Sequence, residues 1–368
     1  MADRAAEADG IAMKGGGYYS LATVGAKHVI DGAAPLVLDA LSRIGVEGER
    51  DVFTMADFGC ADGGTSLDMI ATVLGEVRRR APERPIAMVY TDQPRNDFNA
   101  LFSIVGGGGP RRSRLDEIPD LHVFASATSF YRRIFPAGSL SLGFSATAMH
   151  WLSAKPCNIA DHVQAVGAAG DELAAFARRG CADWRTILLH RAAELRSGGR
   201  LVLVNFCRDE EGRYLGHTGG VSMFATFARI WRELVAAGTI TAAEYREMTL
   251  PQYYKSVAEF AAPLVDSDDP VHRAGLRLEG LETRIVRCPF AADFARHGDA
   301  AAFARAYVPT LRSWTESTFH AALSAARPAA ERRAIIDAYY DRYETLVREQ
   351  PRGHGMDYVH AYLTIAKP

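Results

Sequence analysis

The chain has 368 residues, 48% of them hydrophobic and 23% charged, enough to bury a core in one large domain or two. Its 42 basic and 44 acidic residues leave a net charge of −2, which argues against a nucleic-acid partner held by bulk charge. Five scattered cysteines without a C-x-x-C pair point to a reduced, cytoplasmic protein without structural zinc or another metal centre, and no stretch has the length of a membrane span or the core of a signal peptide.

The first ten residues read as a disordered tail, and residues 13–30, MKGGGYYSLATVGAKHVI, as a flexible lead-in to a helix over 33–41. A strand over 50–58 then runs into GCADGGTS, where Gly59, Gly63 and Gly64 allow a tight strand-to-helix turn and close approach of a ligand to the main chain. A helix N-terminus suits an anion, and a carboxylate at the strand end, Asp57, suits an amine, so the turn fits an aminoacyl zwitterion. It is neither the spaced G-x-G-x-x-G of dinucleotide enzymes nor a P-loop, so S-adenosylmethionine fits better than NAD or ATP.

A helix over 66–80 leads to IAMVYTDQ, a second strand ending at Asp92. An acidic residue there commonly grips a ribose diol, although a solvated strand-end aspartate has the same position. Gly106–Gly109 with PRRSR reads as a mobile surface loop, and residues 121–125 as a third strand. The fourth strand, SLSLGFSATAMHWLS, carries His150 and Trp151 past its carboxyl end, where open α/β sheets bind ligands. A lone histidine is more often structural, but the adjacent donor-only indole favours a polar-tipped pocket. A helix ending at Leu195, the turn RSGGR and the strand LVLVNFCRD continue the alternation. Helical spacing in FATFARIWRELVAAG suggests an inserted helical segment, residues 276–288 another strand, 291–348 mostly helices, and the alternating YVHAYLTIAKP a last strand.

These pieces resemble, in order and over nearly the whole chain, the SABATH methyltransferases of salicylate, benzoate, jasmonate and caffeine type: MKGGGYYS, ADFGCADGG, TDQPRNDFNALF, SFYRRIFP, MHWLS, SGGRLVL, VAAGTI with LPQYY, and RAYVPTL. The resemblance implies an α/β fold, a Rossmann-like class I methyltransferase sheet with helices on both faces and an α-helical cap. It puts the cofactor domain at 1–155, continued by 181–210, 270–290 and 355–368, and the cap at 211–269 and 291–354. By the same resemblance Tyr19, Thr23, Asp57 and Gly59 line the methionine end of S-adenosylmethionine, Asp92 holds the ribose, and Gln93, Ser129 and Phe130 bound the adenine. His150 and Trp151 face the acceptor carboxylate as orienting donors, with Phe224 and Tyr307 along the acceptor pocket. The implied partners are a small-molecule acceptor and, as a homodimer, a second copy of the chain.

Three positions depart from the family pattern. A carboxylate-binding Gln aligns with Ala26, a pocket Tyr with Thr147, and a cofactor-loop Asn with Thr65. The leading expectation is transfer of a methyl group to the carboxylate of a small aromatic or apolar acid. N-methylation of a small heterocycle or amine, and a non-catalytic S-adenosylmethionine-binding protein, are the alternatives.

Overall fold

The structure, a computed structural model, describes residues 23–48, 50–108 and 113–368, so Tyr19, the amino-terminal tail and part of the glycine loop lie outside the described residues. Helix α1 (Val24–Ser42) begins nine residues before the stretch expected to be helical. Gly25 lies within it, at a point where a Cβ would stand 2.2 Å from Cε2 of Tyr358, whose ring packs against the helix. Val29, Ala33, Val37, Ala40 and Leu41 are buried at helical spacing along its inner face.

Strand β1 (Phe53–Phe58) and helix α2 (Leu67–Arg80) form the first strand–turn–helix unit, and β2 (Ile86–Thr91), β3 (Leu121–Ser126) and β4 (Leu140–Ala146) follow. The short α3 (Phe98–Ser103) runs into a wide turn at Ile104–Gly108 that Gly107 breaks with a left-handed φ of +82°, at the start of the expected glycine loop. The long α4 (Gly170–Glu194) delivers the chain directly into β5 (Leu195–Arg208). The expected RSGGR turn is an excursion inside β5: Gly198, at φ +76°, donates to the Lys367 carbonyl while the ladder shifts register between Leu140 and Leu142.

The strands order β3-β2-β1-β4-β5-β8-β7, in which β8 (Tyr358–Ala366) runs antiparallel to both its neighbours, β5 and β7 (Arg277–Val286), so β7 points the same way as the parallel set. The last strand in sequence therefore sits inside the sheet between β5 and β7, and all nine of its residues are buried. A two-residue β6 (Lys255–Ser256) pairs with the end of β5. Phe53, Met55, Met88, Tyr90 and Phe144 face α1 and α2, while Ala56, Phe58, Leu201 and Leu203 face Trp184, Ile187 and Leu188 of α4.

Helices α5 (Met223–Ala236), α6 (Ala242–Glu247), α9 (Pro289–His297), α10 (Ala300–Ala322) and α11 (Ala329–Glu349) form a helical lobe. Its Phe227, Trp231, Tyr339 and Tyr343 continue the core on the α1 side of the sheet. The segment 211–269, expected wholly in the cap, divides. Phe260 and Leu264 of α7 (Val257–Val265) pack on the opposite face with Phe58 and Leu201, because the apolar side of α7 has α4 and β7 as neighbours, and Val271 of α8 (Pro270–Arg273), in the segment expected with the sheet, joins them there.

Candidate active site

The strand order reverses between β1 and β4, and the two loops that leave their carboxyl ends meet there, which is where open sheets of this kind bind ligands. Gly59 shows how close the meeting is. It sits at φ +77°, and a Cβ on it would stand 2.4 Å from the Cβ of Ala148 on the loop after β4. Any other residue would suffer both the left-handed backbone and the collision. The turn is tied to the end of β2, where the Gly59 and Cys60 N–H groups donate to the Thr91 carbonyl at 2.8 and 3.1 Å.

Two carboxylates line this crevice. Asp57 is buried at the end of β1 and accepts from the Ser66 hydroxyl at 2.6 Å. Burial pushes its carboxyl up to about 7; the Ser66 hydrogen bond opposes the rise and the nearby Asp92 charge adds to it. Asp92 directly follows β2, and its two oxygens accept from the N–H groups of Ala61 at 2.8 Å and Gln93 at 2.7 Å. Burial raises its carboxyl too, against those two hydrogen bonds. Phe130 closes the side of the crevice, its ring 3.8 Å from the position a Gly59 Cβ would take. Ser129 precedes it and accepts from the Tyr131 N–H at 3.3 Å. This segment is held by Arg191, whose guanidinium donates to the Phe130 and Arg132 carbonyls.

Beside the crevice lies a cavity with about 400 Å³ of atom-free space, its mouth included. Thr23, Ala26, Thr147, His150 and Trp151 form one wall. Thr147 holds a left-handed φ of +56°, costly for a β-branched residue and stabilised by donation from its N–H to the Val204 carbonyl at 2.9 Å. His150 is buried, edge-on to Phe206 at 4.8 Å between ring centres, and its Nδ1 has no partner. Burial pushes its pKa well below the usual histidine range, reinforced by His360 and Lys255, so the imidazole is neutral. Trp151 is anchored through its carbonyl, which accepts from the Tyr131 hydroxyl, and pairs in a β-bridge with Gln252.

The rest of the lining comes from remote segments: Leu215, Gln252, Tyr254, Trp314, Met356 and Tyr358. None of these was assigned to the site from the sequence, though LPQYY, which contains Gln252 and Tyr254, is one of the quoted family segments. Phe224 and Tyr307, expected along the pocket, are absent from its wall. Phe224 is fully buried behind Tyr254 and Trp314, at 6.0 and 6.2 Å between ring centres. Tyr307 stacks on Phe303 within the helical lobe. Both helices present apolar faces several residues wide, and the helix crossings bring Trp314 forward instead. Thr23, expected at the methionine end of the cofactor, stands on the cavity wall next to Ala26, and the departures at Ala26 and Thr147 both face the cavity. Among the described residues no cluster of His, Cys, Asp and Glu is arranged to hold a metal ion.

The sequence profile of the family described as SAM-dependent carboxyl methyltransferase matches residues 10–367. Indole-3-acetate O-methyltransferase 1 of Arabidopsis thaliana is 27% identical over 235 residues, 56% of this chain and 59% of that protein. The chain thus spans about three fifths of that relative's length. Loganic acid O-methyltransferase of Catharanthus roseus is 27% identical over 274 residues, 67% of this chain and 70% of that protein. A solved structure of loganic acid methyltransferase with SAH shares the fold, with a TM-score of 0.76 at 21% identity over 97% of this chain and 98% of that one. A profile match of this extent, on a sheet whose β1–β4 crevice carries one buried and one half-buried carboxylate beside an aromatic cavity, makes the chain a member of the SAM-dependent carboxyl methyltransferase family.

Proposed function

We propose that the protein transfers the methyl group of S-adenosylmethionine to the carboxylate of a small aromatic or apolar acid, giving a methyl ester. The observation that carries this reading is a cavity walled by aromatic rings, with a neutral buried imidazole and a donor-only indole, opening beside the acidic crevice. The residues in the crevice fit the cofactor: Asp57 is a buried carboxylate paired with no cation among the described residues, as an ammonium site requires, and Asp92 has the strand-end position suited to a ribose diol.

The cofactor would supply an activated methyl on a sulfonium. A carboxylate oxygen forms the new C–O bond as the S–CH₃ bond breaks, and the bonding pair stays on sulfur. The chain's own work is to hold nucleophile and methyl in line and to keep water out, which Phe206, Tyr254 and Trp314 do by walling the cavity. A carboxylate is ionised at neutral pH and needs no base. His150 suits that role, because an imidazole held neutral by burial is a poor proton acceptor and a good fixed dipole. The same observation disfavours a protonated heterocyclic nitrogen as acceptor, which would call on His150 as base.

A reducing, cytoplasmic setting belongs to the same proposal, supported by five cysteines free of disulfides. So do a homodimer and a helical lobe acting as a cap over the acceptor.

The test is incubation with methyl-labelled S-adenosylmethionine and a panel of benzoate, phenylacetate, indole-3-acetate and aliphatic acids, with amines and xanthines as controls. Ester formation from an acid is expected. In addition, Trp151→Phe should lower kcat/KM for that acid by about ten- to a hundredfold, the value of one hydrogen bond to a charged group, with cofactor affinity unchanged. Transfer to amines alone, or to nothing, would overturn the reading.

A further inference from the structure

Ala26 lines the acceptor cavity with a methyl group where the family resemblance expects a carboxamide, so one donor to the acceptor carboxylate is missing from that wall. A carboxamide does face the cavity from another segment of the chain. Gln252 is fully buried, its Oε1 accepts from the Tyr254 hydroxyl at 3.2 Å, and its Nε2 has no partner. Donors buried without a partner are rare and costly, and one on a ligand cavity is accounted for by a ligand that accepts.

The backbone aims this donor. Residues Trp151 and Gln252 face each other across an antiparallel bridge, flanked by hydrogen bonds from the Leu152 N–H to the Pro251 carbonyl at 2.8 Å and from the Tyr253 N–H to the His150 carbonyl at 3.0 Å. Opposed residues in such a bridge project to the same face with their Cβ atoms roughly 5 Å apart. The indole N–H and the carboxamide N–H₂ therefore stand side by side on one cavity wall, two donors for the two oxygens of a carboxylate.

Among the described residues no Lys or Arg is on the cavity lining, and Lys255, which acts on His150, has its ammonium among the rings of Phe260, Trp184 and Tyr253, 5.5 to 6.0 Å from their centres. Neutral donors can hold one negative charge through hydrogen bonds, but they cannot offset the desolvation of two.

Resting on the proposed carboxyl methylation, we propose that Gln252 is the acceptor-binding donor that replaces the carboxamide absent at Ala26, that Tyr254 positions it, and that the site selects monocarboxylic over dicarboxylic acids. The experiment uses the full chain, the fastest monoacid of the panel and its dicarboxylate counterpart, such as benzoate against phthalate. It measures acid binding by calorimetry alongside turnover. Gln252→Leu should raise both Kd and KM for the monoacid about tenfold or more with cofactor affinity unchanged, and Tyr254→Phe should raise them less. Gln252→Glu, close to isosteric, should weaken acid binding progressively as pH rises and the buried carboxyl ionises. Ala26→Gln placed in the Gln252→Leu background should recover part of the loss, which a merely structural role for Gln252 would not predict. Wild-type protein should prefer the monoacid by tenfold or more. If wild type binds and esterifies acids while the Gln252 variants bind them equally well, or if the dicarboxylate is taken as readily, this proposal falls and the functional reading stands. If wild type neither binds nor esterifies any acid, the functional reading falls and this proposal with it.

Discussion

Asp57 links the smallest scale to function, because its carboxyl is pushed up to about 7 by burial while its proposed partner is an ammonium that needs the ionised form. Cofactor binding should therefore release a proton below pH 7, and affinity should fall by about tenfold per unit as pH drops from 7 towards 5.5. Calorimetry in buffers of different ionisation enthalpy measures both effects, and Asp57→Asn should lower affinity and flatten the slope. The same shift sets the stability of the cofactor-free protein. Between about 4 and 7 the folded state keeps a proton that the unfolded chain has released, so stability should decline as pH rises through that window, and bound cofactor should reverse the decline. The sequence showed Asp57 and Asp92 at strand ends, since strand and turn are local patterns. It could not show that Asp57 is buried beside Asp92, because that depends on the loop of β1 folding onto the end of β2.

Among the elements, α6 is the clearest case of one side chain joining distant parts of the chain. Six residues are too few for a self-sustaining helix, and Thr241 with Glu244 caps it reciprocally, the Glu244 N–H donating to the Thr241 hydroxyl and the Thr241 N–H to Glu244. The same buried carboxylate accepts from Arg327 Nε at 2.6 Å and from the Ser324 N–H at 2.9 Å, fastening α6 to the turn between α10 and α11. Arg327 is the main cause that holds Glu244 down from 4.5 to about 2. A depressed carboxyl contributes stability above its unfolded pKa and loses it as pH falls towards the folded one, here from about 4.5 to 2. Glu244→Gln should cost about 1.5–3 kcal/mol at pH 7 in chemical denaturation, and the difference from wild type should shrink near pH 3. Helix ends were less legible than helix faces. The glycines before α1 read as a flexible approach, whereas Gly25 lies inside the helix, where the Tyr358 ring occupies the space a side chain would take.

Over the whole molecule, α4 is joined to the site through one ion pair with no solvent exposure. Arg191 and Glu194, at the end of α4, meet at 2.6 Å, and between them bond the Phe130 and Arg132 carbonyls and the Ile134 N–H. Arg191→Met would leave Glu194 buried and uncompensated, and should cost about 3–5 kcal/mol in a denaturation experiment. Cofactor affinity should fall as well, because the Phe130 carbonyl loses its donor, and adding Glu194→Gln should restore part of the stability. The sequence alone determined the alternation of strands and helices, the glycine turn after β1, the acidic strand ends and the His-Trp step after β4, because each is written in neighbouring residues. Only the tertiary structure decided that β8 enters between β5 and β7, that α7 packs behind the sheet, and which aromatics line the cavity. Helical periodicity marks an apolar face but not its neighbour. Phe224, Tyr307 and Trp314 all read as buried or half-buried aromatics on such faces, and the crossing of α5 and α10 leaves Trp314 alone of the three at the cavity wall.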